Sequence, residues 1–121
     1  MQIMREFHFE AAHHLSLGGE DSSYRRMHGH SFRASVFLRG STDGDGQVMD
    51  FSEFGRILDE VKSKLDHHYL NDIKGLEVPT LENIALWLWR ELSPHLPALS
   101  RIELHRDSCQ EHCIYEGEES G

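Results

Sequence analysis

Two stretches of alternating residues, each with histidine at one end, constrain this chain more than any other feature. Within residues 3–13, Ile3, Phe7, Phe9, Ala11 and His13 share one parity. Within residues 28–39, His28, His30, Phe32, Ala34, Val36 and Leu38 do the same. A period of two marks a strand with one buried face. The sequence therefore predicts two neighbouring strands whose apolar faces run into histidine. The segment between them, residues 16–26, is polar, carries Gly18-Gly19, and reads as a loop.

The rest of the chain changes period. Asp43-Gly44-Asp45-Gly46 is a hairpin turn signal, with residues 48–50 expected to begin a return strand. Asp50 followed by Glu53 resembles a capping box, so a helix is expected there. Phe51, Phe54, Leu58, Val61 and Leu65 form its apolar stripe. Residues 66–78 read as a loop. Thr80 is the expected N-cap of a second helix with Leu81, Ile84, Ala85, Leu88 and Leu92 on its apolar face. Ser93-Pro94 and Pro97 end it. Residues 101–107 and 113–116 read as two more strands. The order ββααββ predicts an α+β fold, a four-stranded antiparallel sheet covered by two helices. Its edges are expected to be used by subunit partners. At 121 residues the chain is expected to form one domain, 1–121, with a frayed tail at 116–121.

Composition narrows the function. Lys plus Arg is 12 against 21 Asp plus Glu, a formal net charge of -9. That argues against a nucleic-acid binder, which needs a basic stripe, and against docking on an anionic membrane. No apolar run approaches a membrane span, and residues 1–5 do not open a signal peptide. Cys109 and Cys113, four residues apart, read as free thiols rather than a disulfide framework. A soluble cytoplasmic protein is the expectation. The unusual count is ten histidines, because histidine is both the commonest metal ligand and the usual proton carrier near neutral pH.

His28-Gly29-His30 places two imidazoles on one face of a strand, about 6.6 Å apart at their origins, close enough to converge on one metal ion. His13 has the parity to join them from the first strand. Three imidazoles without a thiolate are the pattern of catalytic zinc, whose fourth position stays open. The same residues also read as ordinary surface histidines, and spacing alone does not separate the two. His14 has the opposite parity and is expected to be an exposed polar residue. His8, His95, His105 and His112 belong to no motif and read as solvated or structural.

Asp66-His67 follows the first helix. An aspartate can hold a neighbouring imidazole in one tautomer and raise its basicity. Adjacent residues of a regular helix or strand point apart, so the pair needs an irregular backbone. The competing reading is a helix C-terminus whose histidines are stabilised by the dipole. Glu82, in the first turn of the second helix, is likewise explained by the dipole alone.

Four pieces stand in register along nearly the whole chain: Phe9-Glu10-Ala11-Ala12-His13, His28-Gly29-His30-Ser31-Phe32, Asp66-His67-His68-Tyr69-Leu70-Asn71 and Pro79-Thr80-Leu81-Glu82-Asn83. Together they resemble the 6-pyruvoyl-tetrahydropterin synthase family, with its bacterial 6-carboxy-tetrahydropterin synthase branch of the queuosine pathway nearest in look. The resemblance implies the tunnelling fold, a ββααββ subunit assembled into a homo-oligomer, trimer or hexamer, with sites between subunits. It implies Zn2+ held by His13, His28 and His30, and Asp66 with His67 as a proton relay. The implied substrate is 7,8-dihydroneopterin triphosphate, converted to 6-carboxy- or 6-pyruvoyl-tetrahydropterin. A divergent relative that cleaves a related pterin side chain, or only binds pterins, is the alternative.

Two positions depart from the family pattern. The catalytic cysteine's position is Tyr24, whose unperturbed pKa lies about 1.5 units above that of a thiol. Some relatives use a glutamate near this loop, for which Glu20 and Asp21 are candidates. The acidic residue that grips the pterin's guanidine-like edge falls on Asp107, where the family has Glu, with Glu111 nearby. Thr80 and Glu82 complete the implied binding set. A triphosphate approaching a chain of net charge -9 also needs local positive charge, for which Arg25, Arg26, the zinc or a neighbouring subunit are the candidates.

Overall fold

A computed structural model describes residues 1–15 and 26–117. Tyr24, Arg25, Glu20, Asp21, most of the loop at 16–26 and the last four residues of the tail lie outside the described residues. The strands are β1 (Gln2–His13), β2 (His28–Arg39), β3 (Leu99–Arg106) and β4 (Glu111–Tyr115), and the helices are α1 (Phe51–Leu65) and α2 (Leu81–Leu92). All neighbouring strands are antiparallel and the sheet order is β1-β2-β3-β4.

The parity read from sequence is the parity found. Phe7, Phe9, Ala11 and His13 are buried on β1, and Phe32, Ala34, Val36 and Leu38 on β2. Register pairs Phe9 with Phe32 and His13 with His28, and the two phenylalanine rings stack at 4.8 Å. Both helices lie on this face, α1 against β1 and α2 against β3 and β4. Their stripes, including Phe54, Leu58, Val61 and Leu65 from α1 and Ile84, Leu88 and Leu92 from α2, complete one continuous core. The apolar layer ends where the three histidines begin.

Both helix starts follow from their caps. The Asp50 carboxylate accepts the Glu53 amide at 3.3 Å, and Thr80 Oγ1 accepts the Asn83 amide at 3.1 Å, each satisfying an amide that the helix cannot. Asp43 does turn the chain, its carboxylate accepting the amides of Asp45 and Gln47. The return strand expected at residues 48–50 is absent. β2 already pairs with β1 on one side and β3 on the other, so neither of its edges is free for a third partner. The chain passes from the turn straight into α1. Among the described residues no helix is long and apolar enough to cross a membrane.

Candidate metal centre and adjoining clefts

The ends of β1 and β2 bring His13, His28 and His30 together. Their ring centroids lie 4.6, 5.1 and 4.8 Å apart, and one nitrogen from each falls within 4.8 Å of the others. Backbone carbonyls orient two of the rings. His13 Nδ1 lies 3.0 Å from the Pro79 carbonyl, and His28 Nδ1 lies 2.8 Å from the Arg26 carbonyl. A carbonyl only accepts, so each Nδ1 carries the proton and each Nε2 keeps its lone pair.

His13 is fully buried, and its Nε2 has no hydrogen-bond partner. An orphaned buried nitrogen costs about 1–3 kcal/mol, and the two neighbouring imidazoles cannot serve it in their metal-binding tautomers. A metal ion satisfies all three at once, so the donor set fits one. Burial pushes the His13 pKa down to about 4, with His28, His30 and Arg106 adding to the shift and the Pro79 carbonyl opposing it. His30 is lowered for the same reason, burial first and then Arg106 and His28. Both rings are held in the neutral form that ligates.

The segment after α1 runs along the free edge of β1 and secures it. Asp66 Oδ1 accepts the Glu10 amide at 2.8 Å, and the His67 amide donates to the Glu10 carbonyl at 2.6 Å. The Ala12 amide donates to the His68 carbonyl at 3.2 Å. Asn71 then takes both backbone groups of His14. Residues 10, 12 and 14 are the alternate positions whose polar groups turn away from β2, so this segment substitutes for a fifth strand.

The irregular backbone that the Asp66-His67 pair requires is present. Asp66 is extended at the helix end, and His67 is left-handed with φ 60°. The reversal lets the adjacent side chains meet, His67 Nδ1 lying 3.1 Å from Asp66 Oδ2. Hydrogen bonding to the Glu10 amide, then to His67, lowers the Asp66 pKa.

Two clefts flank the histidines. One, of 810 Å³, is lined by Glu10, His30, Ser31, His67 and Tyr69 among others. The second, of 520 Å³, is lined by Arg26, His28, His30, Arg106, Cys109 and Glu111. His30 and Met27 border both.

The other expected residues are placed as follows. Arg26 lines the second cleft and supplies the carbonyl for His28. Thr80 is spent on its cap. Glu82 stands near the half-buried Cys113, whose thiol donates to the Leu81 carbonyl and is pushed up by burial, then by Glu82. Asp107 does not join the histidines. Its carboxylate is held by Arg33, whose parity places it on the opposite face of β2. His14 corrects the expectation of an exposed residue: it is half-buried, and its Nδ1 meets the Tyr69 hydroxyl. Beyond the end of β1, the edge segment covers a side chain that parity alone turns to solvent.

Four contributors were not assigned from sequence. Pro79, Asn71 and Arg33 act through long-range contacts that no local pattern encodes. Arg106 lies at the end of β3 in a chain with few cations, and pairs with Glu111.

Comparison with known proteins gives a consistent picture. Residues 2–118 match the family described as 6-pyruvoyl tetrahydropterin synthase. A 6-carboxy-5,6,7,8-tetrahydropterin synthase of Synechocystis is 47% identical, over 84% of this chain and 83% of that one. A dihydroneopterin monophosphate aldolase of Pyrococcus furiosus is 34% identical, over 99% of this chain and 93% of its own. The fold is shared with the structure of Caenorhabditis elegans 6-pyruvoyl tetrahydropterin synthase, with TM-score 0.84, 24% identity, and coverage of 98% and 96% of the two chains. The chain belongs to the 6-pyruvoyl tetrahydropterin synthase family.

Proposed function

We propose that this protein is a zinc-dependent lyase that converts 7,8-dihydroneopterin triphosphate to 6-carboxy-tetrahydropterin, working as a homo-oligomer, trimer or hexamer. The carrying observation is the convergence of three imidazoles beside a cleft that also holds His67. The 47% identity to a 6-carboxy-tetrahydropterin synthase supports the product.

Zinc held by His13, His28 and His30 would act as a Lewis acid toward the substrate's side-chain hydroxyls. The chain's own groups supply the rest. Asp66 accepts from His67 Nδ1, which leaves Nε2 as the base that takes a proton from the side chain and returns it. The carboxylate also stabilises the imidazolium formed between those steps. Arg26 and Arg106 border the second cleft, and with Arg25 they offset the negative charge that opposes a triphosphate. Tyr24 stands where the family has its cysteine, while Asp107, held by Arg33 on the far face of the sheet, lines neither cleft, and nor do Thr80 and Glu82.

A second reading has its own support. The aldolase relative matches over 99% of the chain, and Tyr24 replaces the thiol. On that reading the side chain breaks by retro-aldol cleavage and leaves as a two-carbon phosphorylated aldehyde.

Product analysis decides between them. Zinc-loaded protein incubated with dihydroneopterin triphosphate should release triphosphate and acetaldehyde. A phosphorylated two-carbon aldehyde instead would establish the second reading. Recovery of intact substrate from zinc-saturated protein would overturn both.

A further inference from the structure

Arg106 ends β3 with a guanidinium that is only half used. It shares parity with the buried Ile102 and Leu104, so it leaves the strand on the helix-covered face, where the three histidines also lie. The turn Asp107–Cys109, closed by a left-handed Gln110 at φ 56°, brings the chain back so that Glu111 stands directly opposite Arg106. Glu111 Oε1 meets Arg106 Nη2. The neighbouring Nε is buried and has no hydrogen-bond partner.

Nε and Nη2 form the side-on edge of a guanidinium, two parallel donors that one oxyanion can take together. Arg33 shows the edge filled, with Nε and Nη2 on the two oxygens of Asp107. In Arg106 a single carboxylate oxygen fills one half and the other half is empty. A buried donor left unpaired on a charged group is costly, so the edge is incomplete as it stands. The Arg106 side chain is 13% exposed and that of Glu111 is 46% exposed. Glu111 is therefore the partner that can turn out to solvent.

The surroundings select an anion. Arg106 lines the 520 Å³ cleft with Arg26, His28, His30, Cys109 and Glu111. Two guanidinium groups thus face one carboxylate, in a chain of net charge -9. A carboxylate ligand spends both of its oxygens on one fork. A phosphoryl group spends two and keeps a third for the rest of the cleft, Arg26 included.

We propose that the side-on edge of Arg106 is a phosphoryl-binding site and that Glu111 is its resident placeholder. An arriving phosphoryl group takes Nε and Nη2 together and turns Glu111 out to solvent. The phosphoryl class rests on the triphosphate substrate proposed above. The site assigns that tail to the second cleft and leaves the first, with His67, to the carbon side chain that reacts.

The test titrates inorganic phosphate into zinc-loaded protein and follows binding by phosphorus NMR line width, with zinc content and thermal unfolding measured for every variant. Glu111→Gln removes a competing ion pair and should tighten phosphate about two- to fivefold. Arg106→Met should weaken it about tenfold or more. Arg106→Lys keeps the charge without the fork and should weaken it nearly as much. Parent-like affinity in Arg106→Met would place the phosphate on the metal alone and overturn the site, as would no binding by either the parent or Glu111→Gln. Parent-like affinity in Arg106→Lys would overturn the role of the edge, and an unchanged or weaker affinity in Glu111→Gln would overturn the placeholder. A parent that binds phosphate through Arg106 yet returns dihydroneopterin triphosphate intact would sink the lyase reading and leave this site standing.

Discussion

Asn71 closes the end of β1 with both halves of its amide. Its Oδ1 accepts the His14 amide at 2.9 Å, and its Nδ2 donates to the His14 carbonyl at 3.0 Å. The residue clamped in this way follows directly on the buried His13 of the candidate metal centre. Asn71→Asp keeps the acceptor but removes the donor, and sets a carboxylate against a carbonyl. The fold should lose about 1–2 kcal/mol. Metal affinity should fall about tenfold, in the range seen when a ligand's supporting contact is lost. Chelator-competition titration beside denaturant unfolding would separate the two effects. Unchanged metal affinity would mean that the clamp serves the fold alone.

Metal binding should stabilise the protein measurably, because the unfolded chain does not present the three histidines together. At a free metal concentration about 100-fold above Kd, the gain is about 2.7 kcal/mol. Zinc should therefore raise Tm by several degrees in the parent. The same addition should leave a His28→Ala, His30→Ala double variant unmoved. An equal rise in the double variant would place the ion elsewhere.

Stability of the metal-free protein should fall as pH drops from about 6.5 to about 4. The folded-state pKa of His13 is depressed from 6.5 to about 4 by burial, so over this window the unfolded chain binds the extra proton. Acid therefore favours unfolding, and the contribution is complete only above the unfolded value. The shift corresponds to a loss on the order of 3 kcal/mol. His30 is lowered in the same direction and steepens the slope. Urea unfolding of chelator-treated protein at pH 7 and pH 4.5 measures it. In His13→Gln the dependence should be distinctly shallower. A slope equal to the parent's would assign the effect to the carboxylates.

Asp66→Asn separates scaffold from chemistry. The amide oxygen can still accept from the Glu10 amide, which the carboxylate now binds at 2.8 Å, so the edge of β1 should hold. The negative charge 3.1 Å from His67 Nδ1 is lost. Turnover should fall about 100-fold or more with Tm within a few degrees of the parent. Parent-like turnover would remove the relay role from this pair.

The sequence by itself determined the faces of the strands and the helix starts. Each of these rests on short-range periodicity: alternate side chains share a face whatever lies across it, and Asp50 and Thr80 cap amides three residues away. Tertiary structure decided everything that depends on a distant partner. It left residues 48–50 without a strand, because β2 had no free edge. It half-buried His14 under a segment whose Asn71 lies 57 residues further on. It turned His67 left-handed so that two adjacent side chains could meet. It joined Asp107 to Arg33, 74 residues away, by a pairing that arises only once the third strand lies beside the second.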